Sequence, residues 1–183
     1  MPLHQYLKNS TIIDLKSYDK TEALKELAAH LIKATGTTRR KKAIIDDVLK
    51  REESASTFIG HGIAIPHTRA AIKEEFAFVV GRSIQGIKYD AARGALAYII
   101  VLLYTNTETD PNRHINLMTE IVSTFKSDVV KEQILKAGPV DIQALLTSYS
   151  ETTQKIEEKG KRTTRKKAEP ILSAALTDRK SVV

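Results

Sequence analysis

Two of the chain's five histidines, His61 and His67, stand six residues apart in the stretch GHGIAIPHTR, residues 60–69. An imidazole can bind a metal, move a proton or act as a nucleophile near neutral pH. Gly60 and Gly62 flank His61, which calls for unusual backbone angles or a close approach of the backbone. Ile63 to Ile65 form an apolar run suited to an extended, buried segment. Pro66 biases Ile65 towards extended geometry and removes one donor just before His67. The stretch predicts a strand that delivers the His67 imidazole at its end.

Three uses compete for these side chains. A shared metal would need the segment to fold back, because six extended residues span about 20 Å at about 3.3 Å each. Two ligands of one zinc lie within a few ångströms of each other, and no cysteine or spaced carboxylate follows the stretch. Nucleophilic or acid–base use draws on a second place in the chain. There His114 follows Asp110 and Pro111 in the first turn of an expected helix, with Arg113 beside it. A helix N-terminus presents unpaired amide hydrogens and a partial positive charge, which suits an anion. A strand-end imidazole facing a second imidazole at such a terminus would make a phosphoryl site. The third reading is a pair of ordinary hydrogen-bonded histidines in the core or on the surface.

The elements that must position these groups are visible in the periodicity. Asp19 to Thr35 reads as a helix: Asp19 caps it and Glu22 stands at the capping-box position. Leu24, Leu27, Ala28, Leu31 and Ile32 form one stripe, and Gly36 ends it. A second helix is expected from about Thr38 to Glu53, with Ala43, Ile44, Val48 and Leu49 facing inward. Phe76 to Ile84 and Ala97 to Tyr104 read as strands. The second of these is apolar on both faces, so it should be a central strand covered by helices on each side. After a polar loop over residues 105–112, a helix capped by Asp110 should turn Ile115, Leu117, Met118, Ile121, Val122 and Phe125 inward. A shorter helix over Val129 to Ala137 and a last one from near Asp141 follow. Strands lying between helices make an α/β layer fold.

Composition narrows the setting. At 183 residues the chain suits one domain, or one domain with a tail. With no cysteine it has no disulfide, thiolate nucleophile or cysteine-bound zinc. Neither a signal core at the start nor an apolar run long enough to span a bilayer is present, so a soluble, cytoplasmic protein is expected. The net charge of +7 is unevenly spread: residues 1–150 hold 20 Lys and Arg against 17 Asp and Glu, and residues 151–183 hold 9 against 5. The expected organisation is therefore a domain over residues 1–150 and a basic tail over 151–183. From Thr152 onward the tail has no sustained apolar stripe and is expected to be disordered or a frayed helix extension. It carries no aromatic residue among its lysines and arginines, which leaves salt-sensitive contact with nucleic acid or an anionic surface as its sharper use.

The stretch RE-x3-ST-x-IGHGIAIPH, from Arg51 to His67, resembles the signature of the IIA proteins of the bacterial phosphotransferase system, of the fructose/mannitol and nitrogen-regulatory type. YLKNSTIIDLKSYDKTEALKELA resembles that family's N-terminus, GIKYDAARGALAYIIVLL its glycine-plus-strand region, and RHINLMTEI its second histidine segment. The resemblance runs over about residues 3 to 148. It implies a small mixed sheet with helices on both faces and a phosphohistidine carrier. His67 would be the phosphorylated residue and His114 the second active-site histidine that assists transfer. Arg51 would pair with phosphate oxygens; Thr57, a phosphate-binding residue by the same resemblance, would with Gly60 and Gly62 shape the loop around His67. His61 falls where the family varies and reads as a neighbour or rim residue. Arg93 stands where the family often has an acidic residue, which would alter the surface met by a partner.

By the same resemblance, a phosphorylated HPr-like protein would donate to His67, with no metal or organic cofactor. The phosphoryl group would then pass to a IIB domain or serve as a signal to regulatory targets such as kinases or ion transporters. The chain shows no fused IIB or IIC segment, which favours the nitrogen-type, regulatory reading. A different class of function is a regulatory binding module without phosphotransfer, its basic tail contacting nucleic acid or an acidic partner.

Overall fold

The computed structural model describes Leu3, Tyr6 and residues 11–37, 41–136, 138, 144–152 and 155. The elements run β1 (Thr11–Asp14), α1 (Lys20–Thr35), α2 (Lys41–Ser54), β2 (Phe58–Gly60), β3 (Ile63–Ala64), β4 (His67–Ala70), β5 (Phe76–Asp90), β6 (Ala95–Asn106), α3 (Pro111–Phe125) and α4 (Asp128–Lys136). Residues 144–152 are also helical. The basic segment beyond them and the expected helix start near Asp141 lie outside the described residues, apart from Lys155.

Local signals set the helix ends. The Asp19 side chain accepts from the Glu22 amide at 3.0 Å, and Gly36 closes α1 with φ 66°. At α3 the Asp110 carboxylate accepts from the Asn112 amide at 2.7 Å, ahead of Pro111 in the first turn. A side-chain cap of this kind satisfies an amide that the helix itself leaves unpaired.

Six strands form one mixed sheet in the order β1-β5-β6-β3-β2, with β4 also on β6. β1 runs parallel to β5, β5 is antiparallel to β6, and β3 and β4 are parallel to β6. The expected central strand is β6, buried from Ile99 to Thr105. Alternation along it supplies both cores. Ile100, Leu102 and Tyr104 join α1 and α2 residues such as Leu24, Leu27 and Val48 on one face. Ile99, Val101 and Leu103 join Leu117, Ile121 and Phe125 of α3 and Ile134 of α4 on the other. Buried Arg82 of β5 ties neighbouring layers together: its Nε donates to Asp14 of β1 at 2.6 Å, and its Nη1 donates to the Ile134 carbonyl at 2.8 Å.

Several boundaries differ from expectation. β5 continues to Asp90 because it passes through register shifts between Arg82 and Ile87 and between Lys88 and Asp90, which leave Ile84 outside. Such irregularities break simple alternation, the signal from which a strand end is read. β6 likewise runs through Thr105 to Asn106, into the stretch read as loop. Ala43 and Ile115 are exposed, so the buried stripes of α2 and α3 are narrower than expected. The GHGIAIPHTR stretch is also divided among three strands, from the last residue of β2 through β3 into β4. Ile63–Ala64 pairs with β6, Pro66 interrupts, and His67 opens the next strand where it was expected to end one.

Candidate active site

Three elements meet beside β6. His67 begins β4 and is paired with Leu103 of β6, and the Leu103 amide donates to the Pro66 carbonyl at 2.9 Å. The last turn of α2 brings Arg51, and the first turn of α3 brings His114. The two imidazole rings have centroids 5.6 Å apart at 54°. Both histidines and Arg51 are half-buried.

The His67 ring is held at both nitrogens. Nδ1 lies 3.0 Å from the Ile65 carbonyl oxygen. A carbonyl only accepts, so Nδ1 carries the ring proton and Nε2 presents a lone pair. Arg51 Nη2, 3.3 Å from Nε2, donates towards that lone pair. Arg51 Nη1 donates in turn to the Ala55 carbonyl at 3.1 Å, which fixes the plane of the guanidinium. The His114 Nδ1 lies 2.8 Å from the Thr105 hydroxyl. Burial foremost, with the positive charge of Arg69 adding to it, pushes the His114 pKa below the ordinary histidine value, which favours its neutral ring.

Thr57, the expected phosphate contact, has partners of its own within the protein. It is buried, its hydroxyl donates to Glu52 Oε2 at 2.6 Å, and its amide donates to Glu52 Oε1 at 3.0 Å. The Tyr89 hydroxyl lies 3.1 Å from the same Thr57 oxygen, and Lys20 Nζ is 3.7 Å from Glu52 Oε1. Burial, with the Glu52 charge adding to it, pushes the Tyr89 phenol far up. Thr57 thus ties the loop that carries Ala55, the acceptor of Arg51, to Glu52 of α2. Glu52 is the residue that sequence reasoning missed, although it sits inside the quoted RE pair.

Gly60 and Gly62 have φ of 89° and 76°, and His61 between them has φ 55°. A Cβ on Gly62 would stand 2.7 Å from the Tyr98 ring, so a side chain there would have to displace that ring as well as adopt a strained backbone. His61 is exposed and lines an open pocket of about 550 Å³ with Ile84, Tyr98 and Lys131, which includes none of Arg51, His67 and His114. Arg113, which precedes His114 in the chain, pairs with Glu75. Among the described residues no group of three or more metal-ligating side chains forms.

What the arrangement offers is a nucleophilic nitrogen beside a guanidinium and a second, neutral imidazole. That set suits an in-line transfer to nitrogen in which negative charge gathers on the transferred group.

The profile of the family described as "Phosphoenolpyruvate-dependent sugar phosphotransferase system, EIIA 2" matches residues 5–149. The chain is 30% identical over 142 residues to the PTS system fructose-specific EIIABC component of Bacillus subtilis (strain 168), covering 77% of this chain and 22% of that protein. It is 31% identical over 104 residues to the nitrogen regulatory protein of Bradyrhizobium diazoefficiens, covering 56% of this chain and 67% of that one. The chain therefore spans only a minor part of the fructose-specific relative. In fold it is similar to the nitrogen regulatory protein IIA-Ntr from Neisseria meningitidis, with TM-score 0.67 and 20% identity over 79% of this chain and 98% of that one. No helix among the described residues is long and apolar enough to cross a membrane. A match that takes in Arg51, His67 and His114 and runs over most of the length makes this chain a member of the EIIA type 2 family of the phosphoenolpyruvate-dependent sugar phosphotransferase system.

Proposed function

We propose that this chain is a cytoplasmic phosphohistidine carrier that accepts a phosphoryl group on Nε2 of His67. The observation that carries this reading is the pair of contacts on the His67 ring: Nδ1 lies 3.0 Å from the Ile65 carbonyl oxygen, and Nε2 lies 3.3 Å from Arg51 Nη2. A phosphorylated HPr-like protein is the donor. As the new P–N bond forms at Nε2, the bond from phosphorus to the donor's nitrogen breaks and its electron pair returns to the donor's ring. The ring of His67 gains positive charge, which the Ile65 carbonyl stabilises through the retained Nδ1 proton. Arg51 moves from the nitrogen to a phosphoryl oxygen, and His114 contributes a second donor. Phosphoryl transfer demands positioning and charge stabilisation more than covalent help from the protein, so no metal or organic cofactor is required in this chain. Transfer resides in residues 1–150.

The fructose-specific and nitrogen-regulatory relatives stand equally near in identity, so the proposal rests on the step they share. Onward transfer to a IIB domain finds its support in the solved complex of IIA mannitol with phosphorylated IIB mannitol from Escherichia coli, to whose IIA fold this chain is similar with TM-score 0.62. The regulatory, nitrogen-type use is the alternative fate of the same phosphohistidine. A module that only binds would have no use for two imidazoles with fixed nitrogens.

The test is labelled phosphoenolpyruvate with enzyme I and HPr. The chain should take up label that is lost in acid and kept in base, as a P–N bond requires. Acid-stable label, or none, would sink the proposal.

A further inference from the structure

Thr105 is fully buried near the end of β6, two residues beyond the Leu103 that pairs with His67. Residues two apart on a strand share a face, so its side chain points to the α3 side of the sheet, where His114 stands. Its hydroxyl has one partner among the described residues, His114 Nδ1 at 2.8 Å. That isolation decides the direction of the bond. If Nδ1 carried the ring proton, Thr105 would accept it, and the buried hydroxyl's own proton would have no acceptor. An unpaired buried donor costs about 1–3 kcal/mol. If Thr105 donates, both groups are satisfied.

We infer that Thr105 is a positioning residue that donates to His114 Nδ1 and so keeps the proton of that ring on Nε2. The inference rests on the carrier reading for its purpose, since an Nε2–H is the donor that a phosphoryl oxygen on His67 would meet. The two histidines are thereby set in opposite tautomers by opposite kinds of oxygen. The Ile65 carbonyl, which only accepts, leaves His67 with a lone pair at Nε2. The Thr105 hydroxyl, which must donate, leaves His114 with a hydrogen there. Because burial and the nearby Arg69 favour the neutral form of His114, it has a single ring proton, and the placement of that proton matters.

Long-range proton–nitrogen spectra of the unphosphorylated full chain, labelled with nitrogen-15, read both rings directly. His67 should be protonated at Nδ1 and His114 at Nε2. Thr105→Val, nearly isosteric, should move the His114 Nδ1 resonance to that of an imidazole nitrogen without a hydrogen bond. It should also slow phosphate uptake about tenfold, the equivalent of one hydrogen bond of about 1.4 kcal/mol. Thr105→Ser should restore both. A wild-type His114 protonated at Nδ1, a Val variant that accepts phosphate at the parental rate, or a Ser variant that rescues neither would overturn the inference. Failure of the carrier reading is separately visible, because His67→Ala would then label like the parent while the tautomer of His114 is still read without phosphate.

Discussion

His61 and His67 belong to one ten-residue stretch and share almost nothing in their surroundings. His61 is exposed, held at φ 55° between two glycines that also have positive φ. His67 is half-buried at the head of a strand, with an acceptor on one ring nitrogen and a donor near the other. The difference is one of support. A ring on a turn between two glycines is aimed by little beyond its own backbone. A ring on a strand parallel to β6 takes its aim from the whole sheet. Chemistry at an imidazole needs the second condition, since one nitrogen must be held for the other to react.

The sharpest way to break this contrast is to remove each ring. His67→Ala should abolish phosphate labelling, and His61→Ala should label at the parental rate. Equal labelling of the two variants would erase the distinction. Next come the groups around the nitrogen proposed to react. Arg51→Ala and His114→Ala each remove one stabiliser of the charge that builds in the transition state, and each should slow transfer by about 10²–10³. Single-turnover kinetics that match the parent in either variant would take that residue out of the site.

The support beneath His67 offers a stability test. Glu52→Ala strips the acceptor from the Thr57 amide and hydroxyl in a buried place, and should cost about 3 kcal/mol in urea unfolding. A loss under about 0.5 kcal/mol would show that the loop carrying Ala55 is held by something else. The smallest effect belongs to the turn. A side chain other than glycine in the left-handed region costs roughly 1–2 kcal/mol, part of which glycine gives back in chain entropy. His61→Gly should therefore raise stability by about 0.5 kcal/mol, read as a higher urea midpoint at constant slope. A destabilised variant would mean that the exposed ring has contacts worth more than its strain.

Much of the frame was legible because its signals act within a few residues. Asp19 and Gly36 bound α1, and Asp110 with Pro111 starts α3, since capping joins a side chain to an amide two or three positions away. The unbroken apolar run of β6 announced a strand covered on both faces. The reading faltered where alternation is interrupted, at the register shifts of β5 and at the break made by Pro66 between β3 and β4. Exposed Ile115 shows a related limit, because an apolar residue on a helix does not by itself say which side the sheet will cover.

By itself, the sequence determined the caps of α1 and α3 and the central strand, through rules that reach no further than a turn or a strand; the choice of His67 came from the family resemblance. Only the tertiary structure decided how the side chains are spent. Arg113 lies next to His114 in the chain, yet it pairs with Glu75, 38 positions away. Thr57 bonds Glu52, and Thr105, hidden in an apolar strand, meets His114. These partnerships depend on the parallel register of β4 on β6 and on where α2 and α3 cross the sheet. A hydrogen bond is won or lost within about an ångström, a tolerance that residue type and spacing cannot set until the layers have packed.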